Sequence, residues 1–203
     1  MREGAILILS GPSGAGKSTL INQIISQIEP VYFSISTTTR APREGEINGM
    51  HYHFSDVSSF EDDIKNNLFL EYATVHSNYY GTSLVPVQNA LSEGKLVIFD
   101  VDVQGFDEIV KKFGDIATSV FITTPSLEVL KKRLYDRATD SSEVIEKRLS
   151  MAQSEIRRIV DYDYAIINDD IARASGELLS IVRAAKLKVS KTKLESFITK
   201  WLG

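Results

Sequence analysis

The 203-residue chain has no cysteine, one tryptophan, five prolines and three histidines, and nowhere does it hold an apolar run of about 18 residues. Without thiols it forms no disulfide and offers no thiolate to a metal, which fits a reducing, cytoplasmic setting. Without a long apolar run it has no candidate membrane-crossing helix, and Met1-Arg2-Glu3-Gly4 leads into an apolar strand rather than a signal peptide. Excess positive charge is also missing. The formal net charge of -4 speaks against a general nucleic-acid binder, so any phosphate binding has to be local. Internal repeats, low-complexity tracts and Pro/Ser-rich linkers are absent, and at 43% hydrophobic the chain suits one domain with insertions. Oligomeric state is not legible.

What is present is organised around Gly11-Pro12-Ser13-Gly14-Ala15-Gly16-Lys17-Ser18, which fits the P-loop spacing of Gly, four residues, Gly, Lys and Ser or Thr. Its context agrees. Ala5 to Leu9 is an unbroken apolar run, as in a strand buried on both faces, and Lys17 to Ile28 carries apolar residues at helical spacing. Glycines let successive N–H groups turn toward one anion, at a helix N-terminus that carries partial positive charge. In this pattern Lys17 reaches the β and γ phosphates and Ser18 ligates Mg²⁺.

Downstream, Val31 to Ser36 reads as a second strand. Between about Thr38 and Leu84 come short alternating segments, His51 to Phe54 and Phe69 to Val75, broken by Asn48-Gly49 and Gly81, with a helix at Ser58 to Asn66 capped by Ser58 or Ser59. This is a small strand-rich insertion. Alternation of helix and strand then resumes with a helix from near Pro86 to Ser92, a strand at Leu96 to Asp100, a helix at Gln104 to Phe113 and a strand at Ala117 to Ile122. Thr124-Pro125 is expected to open the next helix, and Asp140-Ser141-Ser142-Glu143 resembles a capping box. The charged stretch from Lys131 is expected to project into water. Tyr164 to Ile167 reads as a last strand, and Ile171 to Val189 as an amphipathic helix capped by Asp169 or Asp170. The segment Lys191 to Trp201 puts Leu194, Phe197, Ile198 and Trp201 on one face. That stripe is expected to dock on the core, a basic membrane-surface helix being the alternative.

A P-loop names a phosphate-handling fold and leaves the substrate to other residues. Arg40 and Arg43 flank Ala41-Pro42, so two guanidinium forks can converge on one phosphate, with Ser36, Tyr52 and Tyr80 adding hydroxyls; alternatively the arginines are solvated and the tyrosines pack. Asp100, at a strand end, fits a carboxylate near Mg²⁺ or its waters, or one capping the next turn. His51 and His53 share a strand face, with no third metal ligand nearby.

Taken in order, the P-loop through Thr19, Ser36-Thr37-Thr38-Thr39-Arg40-Ala41-Pro42-Arg43, Gly45-Glu46-Ile47-Asn48-Gly49-Met50-His51-Tyr52, Asn78-Tyr79-Tyr80-Gly81-Thr82 and Phe99-Asp100-Val101-Asp102-Val103-Gln104-Gly105 closely resemble the guanylate kinase family, a likeness that runs on to Asn168-Asp169-Asp170. The resemblance implies an α/β P-loop kinase core with a parallel sheet flanked by helices (1–37, 85–125 and 157–203), a small mixed β/α GMP-binding insertion (38–84) and a helical lid (126–156). It implies Mg²⁺-dependent transfer of phosphate from ATP to GMP, and to dGMP, giving GDP. By position, Gly11, Pro12, Ser13, Gly14, Ala15, Gly16, Lys17, Ser18, Thr19 and Asn168 match ATP contacts, Asn168 at the adenine. Ser36, Arg40, Arg43, Tyr52 and Tyr80 match contacts to the GMP phosphate. Glu71, Thr82 and Asp102 match contacts to guanine, and Arg133, Arg137 and Arg148 match lid arginines that act in catalysis with Lys17 and Arg40. Thr82 stands where Ser is common, and Ala138 follows Arg137 where Gly is frequent. An inactive kinase-like binding domain, a ribose-bisphosphate kinase and a P-loop GTPase are the rivals. Intact Lys17 and Ser18 disfavour the first, Glu71, Thr82 and Asp102 the second, and the want of an Asn-Lys-x-Asp motif the third.

Overall fold

A computed structural model describes residues 4–75, 77–136 and 141–203; Met1 to Glu3, Arg137, Ala138 and Asp140 lie outside the described residues. In chain order the elements are β1 (Ala5–Ser10), α1 (Lys17–Ile28), β2 (Val31–Phe33), β3 (Thr37–Thr38), β4 (His53–Phe54), α2 (Val57–Lys65), β5 (Phe69–Val75), β6 (Asn78–Ser83) and α3 (Leu84–Ser92). There follow β7 (Leu96–Asp100), α4 (Val103–Phe113), β8 (Ala117–Thr123), α5 (Leu127–Asp136), α6 (Ser142–Glu155), a 3-10 turn (Ile156–Asp161), β9 (Tyr164–Ile167), α7 (Ile171–Ala185) and α8 (Lys191–Leu202).

The main sheet is parallel throughout, in the order β2-β7-β1-β8-β9. Every residue of β1 is buried because it lies at the sheet's centre with helices on both faces. Leu7 and Leu9 pack with Leu20, Ile24, Leu178 and Val182 of α1 and α7, whereas Ile6 and Ile8 pack with Val87, Phe106 and Ile109 of α3 and α4. Two-sided burial is why this strand reads as a continuous apolar run. It also aims the strand's C-terminal end, and the loop after it, at the edge of the sheet where α/β folds bind ligands.

The second sheet, β4-β3-β6-β5, is mixed and is built from residues 37–83. Phe60 of α2 is wholly buried, with the rings of Phe69 and Tyr79 stacked against it at 4.2 and 5.1 Å between centroids. The strand expected at Val31 to Ser36 ends at Phe33, since only three residues pair with β7 before the chain crosses into this second sheet. Asp56, rather than Ser58 or Ser59, caps α2, accepting a bond from the Ser59 N–H.

Helices α5 and α6 qualify the expectation of a charged segment projecting into water: Leu130, Leu134, Ile145, Leu149 and Ala152 close a small apolar core between them. Their spacings of three and four put one narrow stripe on each helix, hidden in sequence by the charges around it. The first of these helices begins at Leu127 instead of at Thr124-Pro125, because the Thr124 hydroxyl bonds the Ser126 carbonyl and the Ser126 hydroxyl accepts from the Val129 N–H. Ser141 caps α6, and α7 stops at Ala185, short of Val189. The terminal helix departs most from expectation. No residue of α8 is buried, and Trp201 and Phe197 are 75% and 62% exposed; α1 and α7 already cover that face of the sheet.

Candidate active site

The P-loop turns between β1 and α1, and its tightness comes from close backbone approaches. Gly11, at φ 137°, lies where a Cβ would meet the Ile122 carbonyl oxygen at 1.9 Å. Gly16, left-handed at φ 95°, is the N-cap of α1, and a Cβ there would sit 2.4 Å from the Asn168 side-chain nitrogen. Lys17 folds back so that its ammonium donates to the Gly11 carbonyl at 2.6 Å and lies 3.7 Å from the Asp100 carboxylate. Enclosure pushes the Asp100 carboxyl above the ordinary carboxylate range, against the opposing pull of Lys17.

Three side chains brace the loop from outside. Asn168 donates through Nδ2 to the Ala15 carbonyl at 2.8 Å. Arg133 of α5 donates to the Asn168 carbonyl at 2.7 Å and, more distantly, to Ala15 at 3.5 Å. Arg148 of α6 donates to the Ser13 hydroxyl at 3.0 Å. Asn168 and Arg133 line a cleft of about 550 Å³ with Pro12, Ser13, Gly14 and Gly16 to Thr19 of the loop, Asp100, Asp136 and Ile171. Asn168 is 2% exposed, and its Oδ1 is a buried acceptor with no partner among the described residues.

A second polar cluster sits on the small sheet. The Arg40 guanidinium donates through Nε to the Tyr80 hydroxyl at 3.2 Å and through its terminal nitrogens to the Ala41 carbonyl at 2.7 Å and to Glu46 at 2.8 Å. Its central carbon lies over the rings of Tyr52 and Phe54, 5.4 and 5.8 Å from their centroids. Arg43 joins through its backbone N–H, which donates to the other oxygen of Glu46 at 2.7 Å. Ser36 lies at the entry to β3, its carbonyl accepting from the His53 N–H. Further along β6, the buried Thr82 hydroxyl donates to Glu71 at 2.7 Å.

The expected residues thus fall into two groups, the loop with Asp100, Arg133, Arg148 and Asn168, and the small-sheet set of Arg40, Tyr52, Tyr80, Glu71 and Thr82. Asp102 is tied to the start of a helix: its carboxylate caps α4, accepting from the Gln104 and Gly105 N–H groups at 3.0 and 2.9 Å. Arg137 lies outside the described residues. His51 has its Nδ1 committed to the Ile47 N–H.

Two carboxylates escape the sequence reading. Glu46 is one, although its place three residues after Arg43 was a visible signal. The other is Glu155, seven residues and so two turns after Arg148 on α6, on the face that meets the loop. Desolvation raises its pKa first of all, with Asp102 pushing the same way and Lys17 pulling it down.

The sequence model of the guanylate kinase family matches residues 3–185. A guanylate kinase of Sulfurimonas denitrificans is 54% identical over 200 residues, which span 98% of this chain and 97% of that one. One of Helicobacter hepaticus is 53% identical over 201 residues, spanning 99% and 100%. Among solved structures, the crystal structure of guanylate kinase from Anaplasma phagocytophilum superposes with a TM-score of 0.67 at 30% identity, covering 93% of this chain and 89% of that one. With a matched parallel core, a P-loop and near-full-length likeness, this chain belongs to the guanylate kinase family.

Proposed function

We infer that this chain transfers the γ-phosphate of ATP to GMP, and to dGMP, forming the nucleoside diphosphate, with the loop cleft as donor site and the small sheet (within 38–84) as acceptor site. The observation that carries the acceptor assignment is the spacing on β6. Tyr80 and Thr82 are two residues apart, so both side chains leave one face of the strand, about 7 Å apart at roughly 3.4 Å per residue. One holds Arg40 and the other holds Glu71. This spacing supports reading the Arg40 end as the one that takes the phosphate and the Glu71 end as the one that takes the base.

Guanine presents two adjacent donors, N1–H and the exocyclic amino group, which one ionised carboxylate accepts together. Adenine presents an acceptor at N1, and two acceptors facing each other cost at least the ~1–3 kcal/mol of an unsatisfied polar group. At the donor end, the buried Oδ1 of Asn168, without a partner among the described residues, suits the exocyclic amino group of adenine.

Transfer of a phosphoryl group needs alignment and charge neutralisation more than covalent help, so no general base is required. Lys17, released from the Gly11 carbonyl, moves onto the donor phosphates; Arg133, Arg137 and Arg148 spread charge on the transferring group, and Arg40 and Arg43 hold the acceptor phosphate in line. The Ser18 hydroxyl and the Asp100 carboxylate line the loop's cleft, hard oxygen donors few enough for Mg²⁺, which takes most of its ligands from water and phosphate. Held by these two residues, the ion would supply positive charge against the donor phosphates. We place the lid at 126–156 and the core in 1–37, 85–125 and 157–203, with lid and insertion closing over both nucleotides to exclude water. The cysteine-free, acidic composition suits a cytoplasmic enzyme of nucleotide metabolism without a nucleic-acid partner. The test is ADP release from Mg-ATP with GMP, dGMP, AMP, UMP, CMP and ribose bisphosphate offered separately. Strong preference for GMP and dGMP is expected, and activity on the sugar phosphate, or none on any acceptor, overturns the reading.

A further inference from the structure

The acceptor cluster contains a carboxylate where an anion is to be bound, which at first sight opposes its purpose. Glu46 lies on a turn, yet its side chain is only 18% exposed, and that of its partner Arg40 only 15%. Its two oxygens are divided between two donors: Oε1 accepts from the Arg40 terminal nitrogen and Oε2 from the backbone N–H of Arg43. The Glu46 N–H returns a bond to the Arg43 carbonyl at 3.0 Å, so residues 43 and 46 clasp each other across the turn.

A guanidinium has five N–H donors. Arg40 commits one from each nitrogen to Tyr80, Ala41 and Glu46, and its central carbon lies over the rings of Tyr52 and Phe54. One N–H remains on each terminal nitrogen, the number that a bidentate phosphate contact takes. We propose that Glu46 is a positioning residue for the acceptor phosphate: it fixes the Arg40 fork and the Arg43 turn together, so that both arginines are set before the nucleotide arrives. The proposal rests on the reading that these arginines hold that phosphate. The ion pair keeps Glu46 ionised, since Arg40 first and the Arg43 N–H second hold its carboxyl below the ordinary range.

Chemistry supplies a discriminating substitution. In Glu46→Gln the shape is kept, but an amide accepts on only one of its two terminal atoms, so one of the two donors now faces an NH2 group. The fork or the turn is released. Steady-state kinetics on Glu46→Gln, Arg40→Ala and the double variant, with melting temperature and ATP KM measured for each, test the idea. Expected for Glu46→Gln is a loss of at least about tenfold in kcat/KM for GMP, with ATP KM within about twofold of the parent. In the Arg40→Ala background the same change is expected to cost less than about threefold, because Glu46 acts largely through Arg40. Glu46→Asp, which keeps both oxygens and the charge, is expected to lose less than Glu46→Gln. GMP kinetics unchanged in Glu46→Gln while Arg40→Ala is impaired overturns the proposal alone. An equal loss in both backgrounds, with ATP KM raised as well, makes Glu46 a general structural residue and also overturns it. Unchanged GMP kinetics in Arg40→Ala overturns the phosphate-site reading beneath it.

Discussion

Gly16→Ala puts a methyl group where the loop and Asn168 meet, and its cost follows from two distances and one torsion. The residue sits at φ 95°, where a side chain costs roughly 1–2 kcal/mol in backbone strain. The new Cβ would lie 2.4 Å from the Asn168 side-chain nitrogen, under any van der Waals contact, so the amide has to leave the Ala15 carbonyl it now bonds at 2.8 Å. That residue is 2% exposed, and a buried amide left without its partner costs about 1–3 kcal/mol. The sum is about 2–5 kcal/mol, which at roughly 2–4 °C per kcal/mol for a chain of this size lowers Tm by roughly 4–20 °C. Scanning calorimetry of the unliganded protein reads it directly. Gly176→Ala is the control: it lies inside α7, nothing comes within 4 Å of an added Cβ, and the substitution should stabilise by about 0.5–1 kcal/mol through helix propensity. A Gly16→Ala protein that melts with the parent refutes the reasoning, since neither the strain nor the displaced amide would then exist.

Other substitutions probe the site. Glu71→Gln should lower kcat/KM for GMP by about tenfold or more while narrowing the preference over AMP, because a hydrogen bond to a charged group contributes roughly 1.5–3 kcal/mol and the new amide can offer a donor to adenine N1; an unchanged GMP to AMP ratio removes Glu71 from base recognition. Arg133→Lys cannot reproduce a fork that serves both Asn168 and Ala15, so kcat should fall at least about tenfold under saturating ATP, and full activity would make the planar fork irrelevant. Glu155 has its pKa raised in the folded protein, so its contribution to stability is fully present below the ordinary carboxylate value and is lost as pH rises through the folded one. Glu155→Gln is therefore expected to melt above the parent at neutral pH, with the gain vanishing in acid; a gain that persists or grows in acid contradicts that sign.

Strands buried on both faces and the loop between β1 and α1 were legible because their causes are local. β1 and β7 announce themselves as unbroken apolar runs, α1 matches its expected bounds of Lys17 and Ile28, and the loop's residue types follow from what a phosphate requires. Features that depend on packing at a distance were not. Nothing near Leu194 to Trp201 in sequence reveals that α1 and α7 have already covered the face it was expected to dock on. The apolar seam of Leu130, Leu134, Ile145 and Leu149 lies among charges and becomes visible only when α5 and α6 are laid side by side. Asp102 matched a guanine contact by resemblance, whereas its capping of α4 was not legible, since strand end and helix start meet there within two residues. Glu46 signalled itself only by its place three residues after Arg43, because its partners, the Arg40 fork and the Arg43 N–H, are brought to it by the fold of a turn.

The central claim is that both nucleotides are held at once and that the phosphoryl group passes between them in a single displacement. It is tested most directly with ATP made chiral at the γ-phosphorus by oxygen isotopes and sulfur, by following the label onto GMP and determining the configuration of the product. One in-line transfer predicts inversion at phosphorus, with all transferred label on the guanine nucleotide. Retention would mean two displacements through a phosphorylated residue of the protein, and would contradict the account.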